Sequence, residues 1–110
     1  MTREELQKKI RRLQREIARL GPLRPGTLYA GYSVCGKPGC RCGRAKDPVK
    51  HGPYHYLSYT FQRKSYTEFV SGKDVRKVRG EVATYERLMG LVKSLVAHHL
   101  ERARMEKEES

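Results

Sequence analysis

Tryptophan is missing from this sequence, phenylalanine occurs only twice, and acidic residues are half as numerous as basic ones. Apolar residues make up 37% of the 110 positions and charged residues 33%. A core thick enough to hold the chain by apolar burial alone is therefore excluded, and a staple is expected: a metal, a disulfide or a partner subunit. Cysteine occurs three times, an odd number that argues against a closed disulfide framework. No apolar run approaches the roughly 20 residues of a bilayer span, and the opening MTREELQKKI lacks the apolar stretch of a secretory signal. These absences lead us to expect a reduced, cytoplasmic protein that leaves membranes alone and forms a single domain over residues 1–110.

What is present divides into three parts. Thr2, with Glu5 three residues later, reads as a capping box opening a helix over 2–20. Leu6, Ile10, Leu13, Ile17 and Leu20 follow at the alternating spacing of a heptad seam, and Gly21 and Pro22 stop it. Residues 27–70 read as a β unit: TLYAGYSV (27–34) leads into the cysteines, while YHYLSYTF (54–61) and KSYTEFV (64–70) form a hairpin around Gln62 and Arg63. A longer amphipathic helix over 72–106 places Val75, Val78, Val82, Tyr85, Met89, Val92 and Val96 in a second heptad register, widened by Leu88, Leu91, Leu95 and Leu100. His98 and His99 read as structural, with His99 in the seam register, and the tail ERARMEKEES is expected to fray. The expected fold class is α+β: an N-terminal helix, a small antiparallel β unit with a zinc-knuckle-like loop, and a long C-terminal helix packed antiparallel on the first. The second helix outruns the first, so its stripe from Met89 to Leu100 lacks cover. A homodimer through the helices, in the manner of a coiled coil, is the simplest cover.

All three thiols fall within eight residues, in the pattern Cys35-x4-Cys40-x-Cys42-x8-His51. Three soft thiolates and an imidazole make the four-ligand set of a structural zinc, and Gly36, Pro38 and Gly39 let the chain turn between the first two sulfurs. His55 competes with His51 for the fourth position. Three sulfurs and a histidine close the metal's shell, and Asp47 is the sole acid across residues 30–60, so neither catalysis nor a small-molecule substrate is expected.

The run CGKPGCRCGRAKDPVKHGPYHYLS, preceded by GTLY and followed by a β-hairpin and VRKVRGEVATYERL, resembles a family of small uncharacterised bacterial and archaeal proteins. That family has a Cys-Gly-Lys-Pro-Gly-Cys-x-Cys…His-Gly-Pro-Tyr-Tyr signature with a helix on each side. The matching positions are Cys35, Cys40, Cys42 and the run His51-Gly52-Pro53-Tyr54. His55 stands where the family usually has tyrosine, which favours His51 as the ligand. The family's frequent association with mobile genetic elements implies, by association, a DNA-related role.

The charge excess points the same way. Residues 21–71 hold eight basic and two acidic side chains, so the basic field is concentrated around the cysteines. Arg24, Lys37, Arg41, Arg44, Lys46, Lys50, Arg63 and Lys64 are candidate phosphate contacts, with Tyr54, Tyr56 or Tyr59 available to stack on bases. The expected function is nucleic-acid binding, duplex DNA ahead of RNA, in a regulatory or mobile-element accessory role. The alternative is a helical adaptor or subunit of a larger nucleoprotein complex.

Overall fold

The computed structural model describes residues 1–109. Helix α1 (Arg3–Ala18) is followed by strands β1 (Thr27–Ser33), β2 (His51–Phe61) and β3 (Lys64–Val70), then helix α2 (Val75–Glu109). The chain forms two compact units, one made of Met1–Leu23 and the chain from Ala83 onward, the other of Arg24–Val82.

In the helical unit, the Thr2 hydroxyl accepts from the Glu5 N–H at 3.2 Å, as the capping box requires. Leu6 and Ile10 are buried, and Leu13, Ile17 and Leu20 half-buried. They pack as one side of an antiparallel pair. Arg3 at the start of α1 reaches Glu106 and Glu109 near the end of α2, and Glu16 near the end of α1 meets Arg87. Two expectations are corrected here. The tail, expected to fray, is helical to Glu109, because its acids are ion-paired to Arg3 and its chain continues the seam. From Met89 onward the register of α2 is also displaced. Thr84, Leu88, Leu91, Leu95, His98, Arg102 and Met105 form the half-buried row, whereas Met89, Val92, Val96, His99 and Leu100 are exposed. Both rows repeat every 4 and 3 residues, so periodicity alone could not choose between them. Burying the larger leucines removes more apolar area from water than burying the valines.

In the sheet unit, the strands lie in the order β1-β2-β3, all antiparallel. Alternation sends Leu57 and Val70 to the inner face, where Leu28 and Tyr59 join them against Val75, Val78 and Val82 in the first turns of α2. The opposite face carries Tyr29, Tyr54, Tyr56 and Phe69 at one end and Thr27, Ser58, Thr60, Ser65 and Thr67 toward the other. Gln62 and Arg63 make the two-residue turn between β2 and β3, both at positive φ as a type I′ hairpin demands. Gly26 has to be glycine: its φ is 125°, and a Cβ there would lie 2.6 Å from the Ser58 carbonyl oxygen. Strand β2 starts at His51, earlier than the sequence suggested, because His51 pairs with Ser33 across an irregularity between Gly31 and Ser33.

Replacing fully buried Leu57 by alanine is expected to cost about 2–5 kcal/mol of unfolding free energy. Val96→Ala, on the exposed row of α2, should stay within about 0.5 kcal/mol of the parent. Urea midpoints of the two variants against the parent check both values.

Candidate metal centre

The cysteine loop is a set of turns hung between β1 and β2. Cys35 lies two residues beyond the end of β1, and His51 is the first residue of β2. The Ser33–His51 strand pair therefore brings the two ends of the loop together before any side chain is considered. Within the loop, the Cys40 N–H donates to the Lys37 carbonyl at 3.3 Å, closing a turn over Lys37-Pro38-Gly39-Cys40. Proline second and glycine third at a φ of 78° are the residues of a type II turn. Residues Arg41–Gly43 then form a single 3₁₀ turn, which places Cys42 inward and fully buried beside Cys40. The Val49 N–H returns to the Arg41 carbonyl at 2.9 Å and directs the chain into β2.

The four donor atoms converge. Sγ of Cys35 lies 3.4 Å from Sγ of Cys42, Sγ of Cys40 lies 3.3 Å from Sγ of Cys42, and Nε2 of His51 lies 3.2 Å from Sγ of Cys40. All four donors fall within 4.8 Å of one another. A four-coordinate ion with metal–sulfur bonds of about 2.3 Å would set its sulfurs about 3.8 Å apart. The Cys35–Cys42 and Cys40–Cys42 sulfur pairs are closer than that by a few tenths of an ångström. One backbone donor also supports the sulfurs: the Cys35 N–H points at Cys42 Sγ from 3.2 Å, the kind of outer hydrogen bond that orients a ligand and steadies its charge. Residues Cys35, Cys40, Cys42 and His51 thus fit a metal ion. His55 does not join them; it is paired with Ala30 and Val70 in the middle of the sheet, four residues along β2. The choice between the two histidines is settled by the strand, since four residues of extended chain cover about 13 Å.

The thiols are unequal. The Cys42 amide and thiol, followed by the Cys35 thiol and His51, draw the Cys40 thiol down from 9.0 to about 6. The Cys35 amide favours the Cys42 thiolate, but burial and crowding by the Cys40 and Cys35 sulfurs outweigh it and push the Cys42 thiol up. Cys40 is therefore the first anion available to a cation.

The predicted nucleic-acid contacts are spread over three places. Lys37, Arg41, Arg44, Lys46 and Lys50 are all exposed on the cysteine loop. Arg63 and Lys64 lie at the hairpin tip, at the other end of β2 and on the order of 30 Å away along the strand, so the structure does not gather them with the loop. Arg24 is engaged elsewhere. Its N–H donates to the Glu81 carbonyl at 3.1 Å, and its Nε lies 3.4 Å from Glu81 Oε1, an ion pair without the alignment of a hydrogen bond. Tyr54 is half-buried on the exposed sheet face, its ring 6.4 Å from that of Phe69. Tyr29 and Phe69 share that face, and sequence reasoning missed both. Strand alternation on β2 was visible, but its pairing partners on β1 and β3 were not.

In the metal-free protein the lowered Cys40 thiol favours the folded loop above the ordinary thiol range, a contribution lost as pH falls through about 6, while the raised Cys42 thiol acts in the opposite sense. At neutral pH in chelator, iodoacetamide should label Cys40 before Cys42, and metal should protect both; peptide mapping by mass spectrometry reads the order. Cys42→Ala should abolish stoichiometric metal uptake, measured by elemental analysis of the purified variant.

Comparison with known proteins places the chain by family alone. No curated protein and no solved structure matches it. A family described as a domain of unknown function (DUF6788) matches residues 3–80, a span that takes in α1, the three strands, the cysteine loop and the first turn of α2. With well over half of its length matched, including all four converging donors, the chain belongs to the DUF6788 family.

Proposed function

We propose that this protein is a small nucleic-acid-binding module whose cysteine loop is stapled by a structural zinc and contacts phosphates. A set of three thiolates and one imidazole is soft, closed and suited to zinc. Bound there, zinc would supply folding free energy on the order of 10 kcal/mol and no reactive position. Two positive charges against three thiolates would take the formal net charge from +12 to +11, so the ion would leave the basic field nearly intact.

The observation that carries the reading is the state of the loop cations. Lys37, Arg41, Arg44, Lys46 and Lys50 are exposed, and none takes part in an ion pair among the described residues. The unit Arg24–Val82 carries twelve basic against four acidic residues, while the rest of the chain carries twelve against eight. Five exposed cations on one loop cost self-repulsion in isolation and gain from a polyanion. DNA comes first among such partners.

An exposed apolar row on α2, Met89, Val92, Val96 and Leu100, favours a second reading: a helical face that seats another helix, as in an adaptor or a homodimer. Light scattering of the parent and of a Val92→Glu, Val96→Glu variant tests it. A parent dimer that the variant breaks supports it, and a monomeric parent removes self-association.

If the loop contacts phosphates, the logarithm of the binding constant should fall linearly with the logarithm of salt concentration. Five contacts give a slope of about −4 to −5 on duplex DNA. Arg41→Ala and Arg44→Ala should each reduce that slope by about one and leave metal content unchanged. Fluorescence anisotropy across a salt series measures it, and binding flat in salt would refute the phosphate reading.

A further inference from the structure

The exposed face of the sheet raises a question the loop does not answer. An antiparallel sheet with one face on a core usually turns polar side chains outward. Here the half of the outer face toward the hairpin tip obeys that rule, with Ser58, Thr60, Ser65 and Thr67. The half toward the cysteine loop does not. Tyr29, Tyr56 and Phe69 are paired partners on β1, β2 and β3 and make a row across the whole sheet, with Tyr54 one step closer to the loop. Tyr29 and Tyr56 are stacked at 5.6 Å, and Phe69 meets Tyr56 edge-on at 6.0 Å. Phe69 is 63% exposed and Tyr29 43%. Opposite Tyr54 stands Gly31, where an added Cβ would find only the Tyr56 ring, at 3.9 Å. The platform is thus bare over the edge strand.

Resting on the phosphate-binding function proposed above, we infer that this aromatic row is a stacking platform for the bases of single-stranded nucleic acid whose backbone lies along the cysteine loop. The two chemistries sit at the same end of the sheet. The Ser33–His51 pair is the last before the loop, and Tyr54 and Tyr56 follow His51 by three and five residues, about 10 and 17 Å along β2. None of the outward-facing residues of the three strands is charged, while the loop beside them carries five exposed cations. A neutral π-surface bordered by cations complements a strand of neutral, flat bases on an anionic backbone. A duplex offers its backbone and the base edges in its grooves but no free base face, since its bases are stacked on each other. The inference therefore replaces duplex DNA, the partner expected from the sequence, with an unpaired strand. DNA and RNA strands share the base faces, and the two arms of the test separate them.

With seven tyrosines and no tryptophan, the protein's own emission reports stacking. Metal-loaded protein is titrated with strands of about 12 nucleotides, a length within the range one small sheet domain can cover: oligo-dT, oligo-U, an abasic strand of equal length, and a duplex. Tyrosine quenching is expected with the base-bearing strands and not with the abasic one. Either base-bearing strand should bind roughly tenfold or more tighter than the abasic strand. Phe69→Ala and Tyr29→Ala, both at exposed positions, should lose roughly that factor on the base-bearing strand and keep abasic binding, salt slope and metal content. Equal affinity for base-bearing and abasic strands, or tighter binding to the duplex, overturns the platform and leaves phosphate binding standing. No binding to any of the four at low salt overturns both.

Discussion

Convergence of three sulfurs and one imidazole at the mouth of the β1–β2 pair is the constraint on which the sheet unit depends. The loop from Cys35 to Lys50 has few backbone hydrogen bonds of its own, and it carries five like charges that repel one another. Left to itself, such a segment has little reason to adopt one shape. A metal ion held by the four donors would tie it near its ends and middle. The strand register does half of this work, since the Ser33–His51 pair closes the loop before the ligand atoms meet. A bound ion would do the other half by crosslinking the 3₁₀ turn to the strand ends.

That arrangement separates tasks that a thin protein can hardly combine. Apolar burial in the sheet unit goes to the inner face, around Leu57, Val70 and Val78. The outer face is then free to display a row of rings. Tyrosine suits both duties, and the tyrosines of the strands serve each. Tyr59 packs inward, stacks on Tyr66 at 4.9 Å and donates its hydroxyl to Glu68 at 2.6 Å, a bond to a carboxylate that pushes its phenol up. Tyr29, Tyr54 and Tyr56 gather on the outer face. The charges divide in a similar way. In the helical unit Arg3, Arg12, Arg87 and Arg102 are paired with glutamates, whereas among the described residues no ion pair involves a cation of the cysteine loop.

Much of this was legible in the sequence because the relevant signals are local. Thr2 and Glu5 announce the start of α1, the break at Gly21 and Pro22 follows its end within a few residues, and the spacing of Cys35, Cys40, Cys42 and His51 identifies the candidate ligands. The Lys-Pro-Gly-Cys turn is similarly self-declaring, since φ is set by proline and glycine themselves. Two neighbouring apolar rows on α2 mark the limit of such reading. Each satisfies a heptad, and only the presence of α1 selects the leucine row and leaves Met89, Val92 and Val96 outside.

By itself, then, the amino-acid sequence determined the elements, their order, the three sulfur donors and the excess of positive charge, because propensity, spacing and composition act over a few residues. Tertiary structure alone decided that His51 rather than His55 meets the sulfurs, that the hairpin-tip cations stand far from the loop, and that Tyr29, Tyr56 and Phe69 form one row. All three depend on which residue faces which across paired strands. A shift of one position in that register would turn every side chain to the other face, and nothing within a single strand specifies its partner.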